Sequence, residues 1–366
     1  MSAVGGMTAF QQRADRLAGR LDALGIDLLL VNHLVNVRYL TGFTGTNAAF
    51  LIGPSHRVFV TDFRYVDRAK REVPDFDRVQ GQQDLLDTVA EIAVEAGARL
   101  GFDDAHMTVR NHAKLAEQVG DQVELVPAGG LVEELRAVKD ETETEAIRRT
   151  AALADDVYRW LIDEHGLAGH TEGAVARALE RRALDLGADS VGFPPIVGAA
   201  GNGALPHATA RKDATIPKDT LVVVDFGCIL DSYHSDCTRT FATGDIGQEA
   251  RDCYQLVRTA QEAALAAARA GADVREVDRA ARDLIAQAGR GDQFGHGLGH
   301  GVGLELHEGP RLAPSASGSL EAGNVVTIEP GVYVPEQFGI RIEDLVQVTA
   351  DGPDVMSSIT KDLIEL

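Results

Sequence analysis

The chain is poor in cysteine, in basic charge and in long apolar runs, and each shortage excludes something. Its three cysteines, Cys228, Cys237 and Cys253, are odd in number and lack CxxC spacing. That excludes a Cys-rich structural zinc site and fits a reduced, intracellular protein. A formal charge of −21 repels phosphate backbones, and no basic stripe offsets it, so nucleic acid is not an expected partner. The opening MSAVGGMTAFQQRADRLAGR has no signal-peptide apolar core, and no stretch reaches membrane-spanning length. A cytoplasmic protein without a membrane partner is therefore expected. No HExxH helix, short-period repeat, low-complexity tract or coiled-coil heptad is present.

What is present describes a soluble globular chain of 366 residues, 45% hydrophobic and 25% charged. That length exceeds one ordinary hydrophobic core, so two domains are the default. Residues 1–132 alternate helix-like and strand-like segments, which predicts an α/β domain. Thr8–Leu24 has helical spacing and Gly25 can stop it, while DLLLV, AAFLI and RVFVT read as strands. Pro127–Gly130 breaks that pattern. Residues 133–366 then give helices over about 141–164, 171–186, 248–270 and 274–288. Strands over 221–229 and 234–241, and strand and loop from Gly295 on, predict an α+β domain.

Five dispersed residues of the second domain carry the chemistry. Asp225 lies in LVVVDFG, Asp236 in SDCTRTF, His300 in GHGLGH, Glu329 in VVTIEPGVY and Glu343 in GIRIEDL. Four carboxylates and an imidazole set in apolar or glycine-rich segments are too much charge for an interior unless cations compensate them. If Asp225 and Asp236 face each other across a hairpin, the turn centres between Leu230 and Asp231, with Cβ atoms about 4.5–5.5 Å apart. An exposed hairpin edge is the alternative. GHGLGHGVGLELHEGP places His296, His300 and His307 within twelve residues, and 296 and 300 share a face if extended. Its spacing fits neither GxGxxG nor GxxxxGK[ST], leaving a glycine-rich loop with surface histidines as the bland reading. Glu329 and Glu343, taken singly, could be exposed alternates of their strands. Oxygen-rich ligation with one imidazole favours hard or borderline cations, and a pair of ions could share two carboxylates.

The ordered set DFG, SDCTRTF, GHGLGHGVGLELHE, TIEPGVY and GIRIED resembles the creatinase/aminopeptidase P/prolidase branch of the methionine-aminopeptidase-like metallopeptidases. YLTGFTGTNAAFLI is similar to that branch's N-terminal domain. The resemblance implies a pita-bread catalytic fold holding two divalent metal ions, manganese first, with cobalt or zinc as alternatives. It makes Asp225, Asp236, His300, Glu329 and Glu343 the ligands, with Asp236 and Glu343 bridging. His207 in NGALPHATA, His307 and Glu329 become catalytic groups, with Glu329 managing the proton as a metal-bridging hydroxide attacks. His296, Tyr333 and Arg341 become substrate-binding or ligand-orienting groups. The implied reaction is hydrolysis before proline at the second position of a peptide. Xaa-Pro aminopeptidase is expected ahead of Xaa-Pro dipeptidase, for which Arg311 could grip the proline carboxylate. A non-catalytic binding protein on the same fold is the remote alternative. The branch also implies a homodimer.

Overall fold

The structure, a computed structural model, describes residues 7–97 and 99–366. The first six residues, part of the segment read above as lacking a signal-peptide core, lie outside them. The chain divides into two compact units, 1–136 and 137–366.

In the first unit, Thr8 caps helix α1 (Ala9–Leu21). Its hydroxyl accepts from the Gln11 amide while the Gln11 side chain accepts from the Thr8 amide. Gly25, at φ 63, then turns the chain in the left-handed region that favours glycine. The strands are β1 (Leu28–Val31), β2 (Ala48–Ile52), β3 (Arg57–Asp62), β4 (Asp77–Gly81), β5 (Arg99–Phe102) and β6 (Glu124–Pro127). They form one six-stranded sheet in the order β4-β3-β2-β1-β5-β6. Pairing is antiparallel across β1, β2 and β3 and parallel elsewhere, because helices supply the crossovers. Those helices include α3 (Val66–Glu72), α4 (Leu86–Ala96) and α5 (Val109–Val119), after α2 (Leu34–Thr41). The sequence pattern left α2 unassigned. It is two turns long and has no side-chain cap at His33, and burial of Val37 and Leu40 holds it. The unit ends in α6 (Leu131–Ala137), the helix that also contains the boundary expected after Val132.

In the second unit a helix pair followed by antiparallel strands occurs twice. The first set has α7 (Glu141–Trp160), opened by a capping box between Asp140 and Glu143, and α8 (Glu172–Asp185), capped by Thr171. Its strands are β7 (Ser190–Val191), β8 (Ile196–Ala199), β9 (Leu221–Phe226), β10 (Cys228–Leu230), β11 (Tyr233–His234) and β12 (Cys237–Ala242). The second set has α9 (Gly247–Ala267) and α10 (Val274–Gln287). Its strands are β13 (Gly299–Gly301), β14 (Glu308–Leu312), β15 (Val325–Ile328), β16 (Gly331–Val334), β17 (Phe338–Arg341), β18 (Asp344–Val348) and β19 (Pro353–Val355). Val157, Leu161, Val175 and Leu179 of the first pair pack against Val222, Val224 and Phe226. Val257, Val277 and Ile285 of the second pack against Val326, Ile328 and Ile340. The long polar strip on each helix faces outward and the apolar stripe covers a sheet, as the helical spacing requires.

The hairpin turn centres one residue later than expected, between Asp231 and Ser232, which shifts the pairing by two residues. Thr238, not Asp236, pairs with Asp225, and Leu230 pairs with Tyr233. Asp231 and Ser232 both have positive φ, at 51 and 74, so they form the two-residue turn favoured between twisted strands and fix this register. Asp236 stands two residues before Thr238, just ahead of β12, so it keeps the parity of Asp225's face while lying diagonal to it. Both strands are buried throughout, so the exposed-edge alternative does not hold.

Candidate metal centre

The hairpin presents Asp225 and Asp236 to an open cavity of about 800 Å³. His300 from β13, Glu329 between β15 and β16, and Glu343 between β17 and β18 line the same cavity. Gly299 is what lets β13 approach: a Cβ there would collide with the Thr327 carbonyl of β15. His207, His296, His307, Arg311 and Arg341 also line it. Tyr333 does not. It lies behind the wall, its hydroxyl 3.0 Å from His296 Nε2 and 2.8 Å from Arg341 Nη1, where it orients both. His296 sits in an irregular segment rather than an extended strand, so the shared face read from its spacing with His300 is a shared cavity instead.

Ligand-type atoms of Asp236, His300 and Glu343 all lie within 4.8 Å of one another; the two carboxylates are buried and the imidazole is nearly so, its side chain 12% exposed. The His300 imidazole has a defined orientation. Its Nδ1 meets the Gly301 carbonyl at 3.1 Å, and since a carbonyl only accepts, Nδ1 carries the proton. The Nε2 lone pair therefore faces Glu329 Oε1 at 3.5 Å and Asp236 Oδ2 at 3.7 Å. Three electron-rich atoms turned on one another call for a proton or a cation between them.

Electrostatics say the same. Burial, then the neighbouring carboxylates Glu343, Asp225 and Glu329, push the Asp236 carboxyl well above its ordinary range. Burial, then Glu329 and Asp225, does this to Glu343, and burial pushes Glu329 up to about 8. Burial also pulls His300 and His296 down to about 4 and lowers His307, so these imidazoles are neutral near pH 7. Arg341 is the guanidinium set against this acidic group. Its Nη2 is 2.6 Å from Asp225 Oδ2, its Nε donates to Thr238 Oγ1 at 3.0 Å, and its Nη1 donates to the Pro206 carbonyl at 3.0 Å. The other Asp225 oxygen, Oδ1, is buried with no hydrogen-bond partner among the described residues. An orphaned acceptor beside a trio of facing ligand atoms fits a divalent cation site built mainly from oxygen.

Supporting residues emerge that the sequence pattern did not single out. Thr238 donates to Glu343 Oε2 at 2.7 Å, and Thr327 donates to Glu329 Oε1 at 3.3 Å, each holding a carboxylate in place. Arg239, buried, pairs with Asp344 at 2.7 Å directly beside Glu343. The signal was available: SDCTRTF places three polar side chains inside a strand that is buried on both faces. Phe193, Pro194 and Ile196 form an apolar wall of the cavity, for which the sequence offered no pattern.

Comparison with known proteins bears on this arrangement. Residues 145–350 match metallopeptidase family M24, and residues 13–138 match the creatinase/prolidase N-terminal domain. A Bacillus subtilis (strain 168) protein called uncharacterized peptidase YqhT is 39% identical, over 97% of this chain and 100% of its own. The solved Xaa-Pro dipeptidase from Bacillus anthracis superposes with a TM-score of 0.94 at 36% identity, over 98% of this chain and 100% of that one. The X-Pro aminopeptidase from Thermotoga maritima MSB8 gives 0.88 at 31% identity, over 97% and 100%. The doubled helix pair and strand set of the second unit is accordingly the pita-bread architecture. The chain belongs to metallopeptidase family M24, with a creatinase/prolidase N-terminal domain ahead of its catalytic domain.

Proposed function

We propose that this protein hydrolyses the peptide bond between an N-terminal residue and a following proline, acting as an Xaa-Pro aminopeptidase. The reading rests on one observation: Asp236, His300 and Glu343 gather within 4.8 Å in the cavity that also receives Asp225, Glu329 and the histidines His207, His296 and His307. Asp225, Asp236, His300, Glu329 and Glu343 would hold two divalent ions, with manganese the first choice for so many oxygen donors. Such ions supply Lewis-acid polarisation of a carbonyl and acidification of water.

The chain's own groups do the rest. Glu329, set beside the other carboxylates of the cavity, takes up or hands on a proton at its carboxylate oxygens. Thr327 fixes the orientation of Oε1 for that exchange. His207 and His307, both exposed on the cavity wall, donate to the developing charge or to the leaving imide nitrogen. Tyr333 steadies His296, and Phe193 and Pro194 offer the proline ring an apolar surface that excludes water.

A second reading, Xaa-Pro dipeptidase, draws on Arg311. It lines the cavity with no ion-pair partner among the described residues, so its charge is available to a carboxylate directly after proline. The cavity is open, so it also leaves room for a residue after proline. The test is hydrolysis of Xaa-Pro against Xaa-Pro-Yaa by protein stripped of metal and resupplied with manganese, cobalt or zinc. Cleavage of Xaa-Pro alone selects the dipeptidase, and no metal-dependent cleavage of either overturns both readings. The homodimer implied by the family resemblance and the cytoplasmic location expected from composition belong to this proposal, and light scattering and cell fractionation test them. Among the described residues no helix is long and apolar enough to cross a membrane.

A further inference from the structure

A separate open cavity of about 450 Å³ lies where the end of α7 meets α8, and it shares no lining residue with the cavity above. Arg177, Arg181 and Arg182 of α8 line it, opposite Trp160 and His165. Many arginines on this acidic chain are already neutralised. Arg148, Arg149, Arg159 and Arg258 each pair with a carboxylate at 3.0 Å or less. Arg177 and Arg181 form no ion pair or hydrogen bond among the described residues, and the Arg182 Nε is buried without a hydrogen-bond partner. Asp185 is the one carboxylate of the lining, and it too forms no ion pair there. Three close guanidiniums left unneutralised repel one another and hold donors ready for an outside acceptor.

The other wall is aromatic. The His165 ring lies 4.8 Å from the Trp160 ring, tilted 48° to it, and is stacked on His170 at 4.5 Å. The Arg182 guanidinium is 5.7 Å from the Trp160 ring centroid. A single π-helical turn, Leu161–His165, makes this wall, and such turns interrupt the regular ladder at a local cost and recur at functional sites.

We propose that this cavity binds a small anion attached to a planar ring. Arg177 and Arg181 grip its phosphate or carboxylate, and the ring lies against Trp160 and His165. The volume suits a small-molecule ligand, whose sites run to about 300–1,000 Å³.

Trp160 is the only tryptophan of the chain, so its emission reports on this cavity. The metal-loaded full-length protein is titrated with AMP and with benzoate, and with their ring-free counterparts, inorganic phosphate and acetate. The expected result is a saturable change in tryptophan emission with AMP or benzoate, at least about tenfold tighter than with the matching ring-free ion. The double variant Arg177→Glu/Arg181→Glu, at exposed positions without partners, keeps its circular dichroism spectrum and loses at least about tenfold in affinity. Saturation by AMP alone assigns a phosphate ligand, and by benzoate alone a carboxylate ligand. Three results overturn the proposal: no saturable change with either ring-bearing ion, equal binding of the ring-free ions, or binding that the double variant leaves intact.

Discussion

Arg341 and Asp225 share one charged hydrogen bond, Nη2 to Oδ2 at 2.6 Å, and leave the second carboxylate oxygen buried with no partner among the described residues. The bond ties the carboxylate, which lines the cavity, to a side chain at the end of β17. The same guanidinium reaches Thr238 and Tyr333, which ties Asp225 to the groups that hold Glu343 and His296.

Replacing Arg341 by methionine leaves a buried carboxylate uncompensated. A loss of about 3–5 kcal/mol in stability is expected, measured by urea unfolding of protein stripped of metal, where no cation stands in for the guanidinium. Unchanged stability would mean that the pair contributes nothing net in the folded chain.

Asp236→Ala removes a carboxylate from the cluster of three facing ligand atoms. Metal content by elemental analysis, and peptidase turnover with it, should fall to background while circular dichroism stays native. Thr238→Val should act more mildly, because it frees Glu343 Oε2 without deleting a ligand. Roughly 10–100-fold weaker metal binding is the expected size for a lost orienting bond.

Protein stripped of metal should respond to pH in a defined direction. Burial raises the folded Glu329 carboxyl to about 8 from an ordinary value of 4.5, and Asp236 and Glu343 shift the same way. A raised carboxyl binds its proton more tightly in the folded state, so its contribution is complete below the unfolded value. It is lost as pH rises through the folded one. The melting temperature of the stripped protein should therefore decline between about pH 4.5 and 8. Divalent cation should restore it at the alkaline end. A flat profile would show that these carboxyls ionise without cost.

Arg311→Met separates the two length readings kinetically. If Arg311 grips a carboxylate next to proline, KM for Xaa-Pro rises at least about tenfold while that for Xaa-Pro-Yaa moves little. Equal change in both would assign Arg311 a general role on the wall.

Tyr158 of α7 is fully buried, and its hydroxyl lies within hydrogen-bond distance of the Val224 and Cys237 carbonyls, one residue from Asp225 and Asp236 respectively. Tyr158→Phe removes the one hydroxyl proton that these two carbonyls share and should cost about 1–3 kcal/mol. Calorimetry of the metal-loaded protein measures it.

Much of this was legible in one dimension. Helical spacing and caps placed α7, α8, α9 and α10 to within a few residues, because an amphipathic stripe must repeat along the chain to cover a sheet. The metal-site candidates were legible because carboxylates inside runs such as LVVVDFG contradict their neighbours unless something compensates them. Tertiary structure had to decide the rest. The register that sets Asp225 opposite Thr238 follows from two positive-φ residues in a turn, a choice that hydrophobic patterning alone did not reveal. Tyr333 lies behind His296 rather than on the cavity wall, and Thr238, Thr327 and Arg239 brace the cluster from strands distant in sequence. Which groups could meet was written in residue type and period. Which atoms do meet was settled by strand register and packing, because a hydrogen bond depends on tenths of an ångström between segments that the sequence keeps about a hundred residues apart.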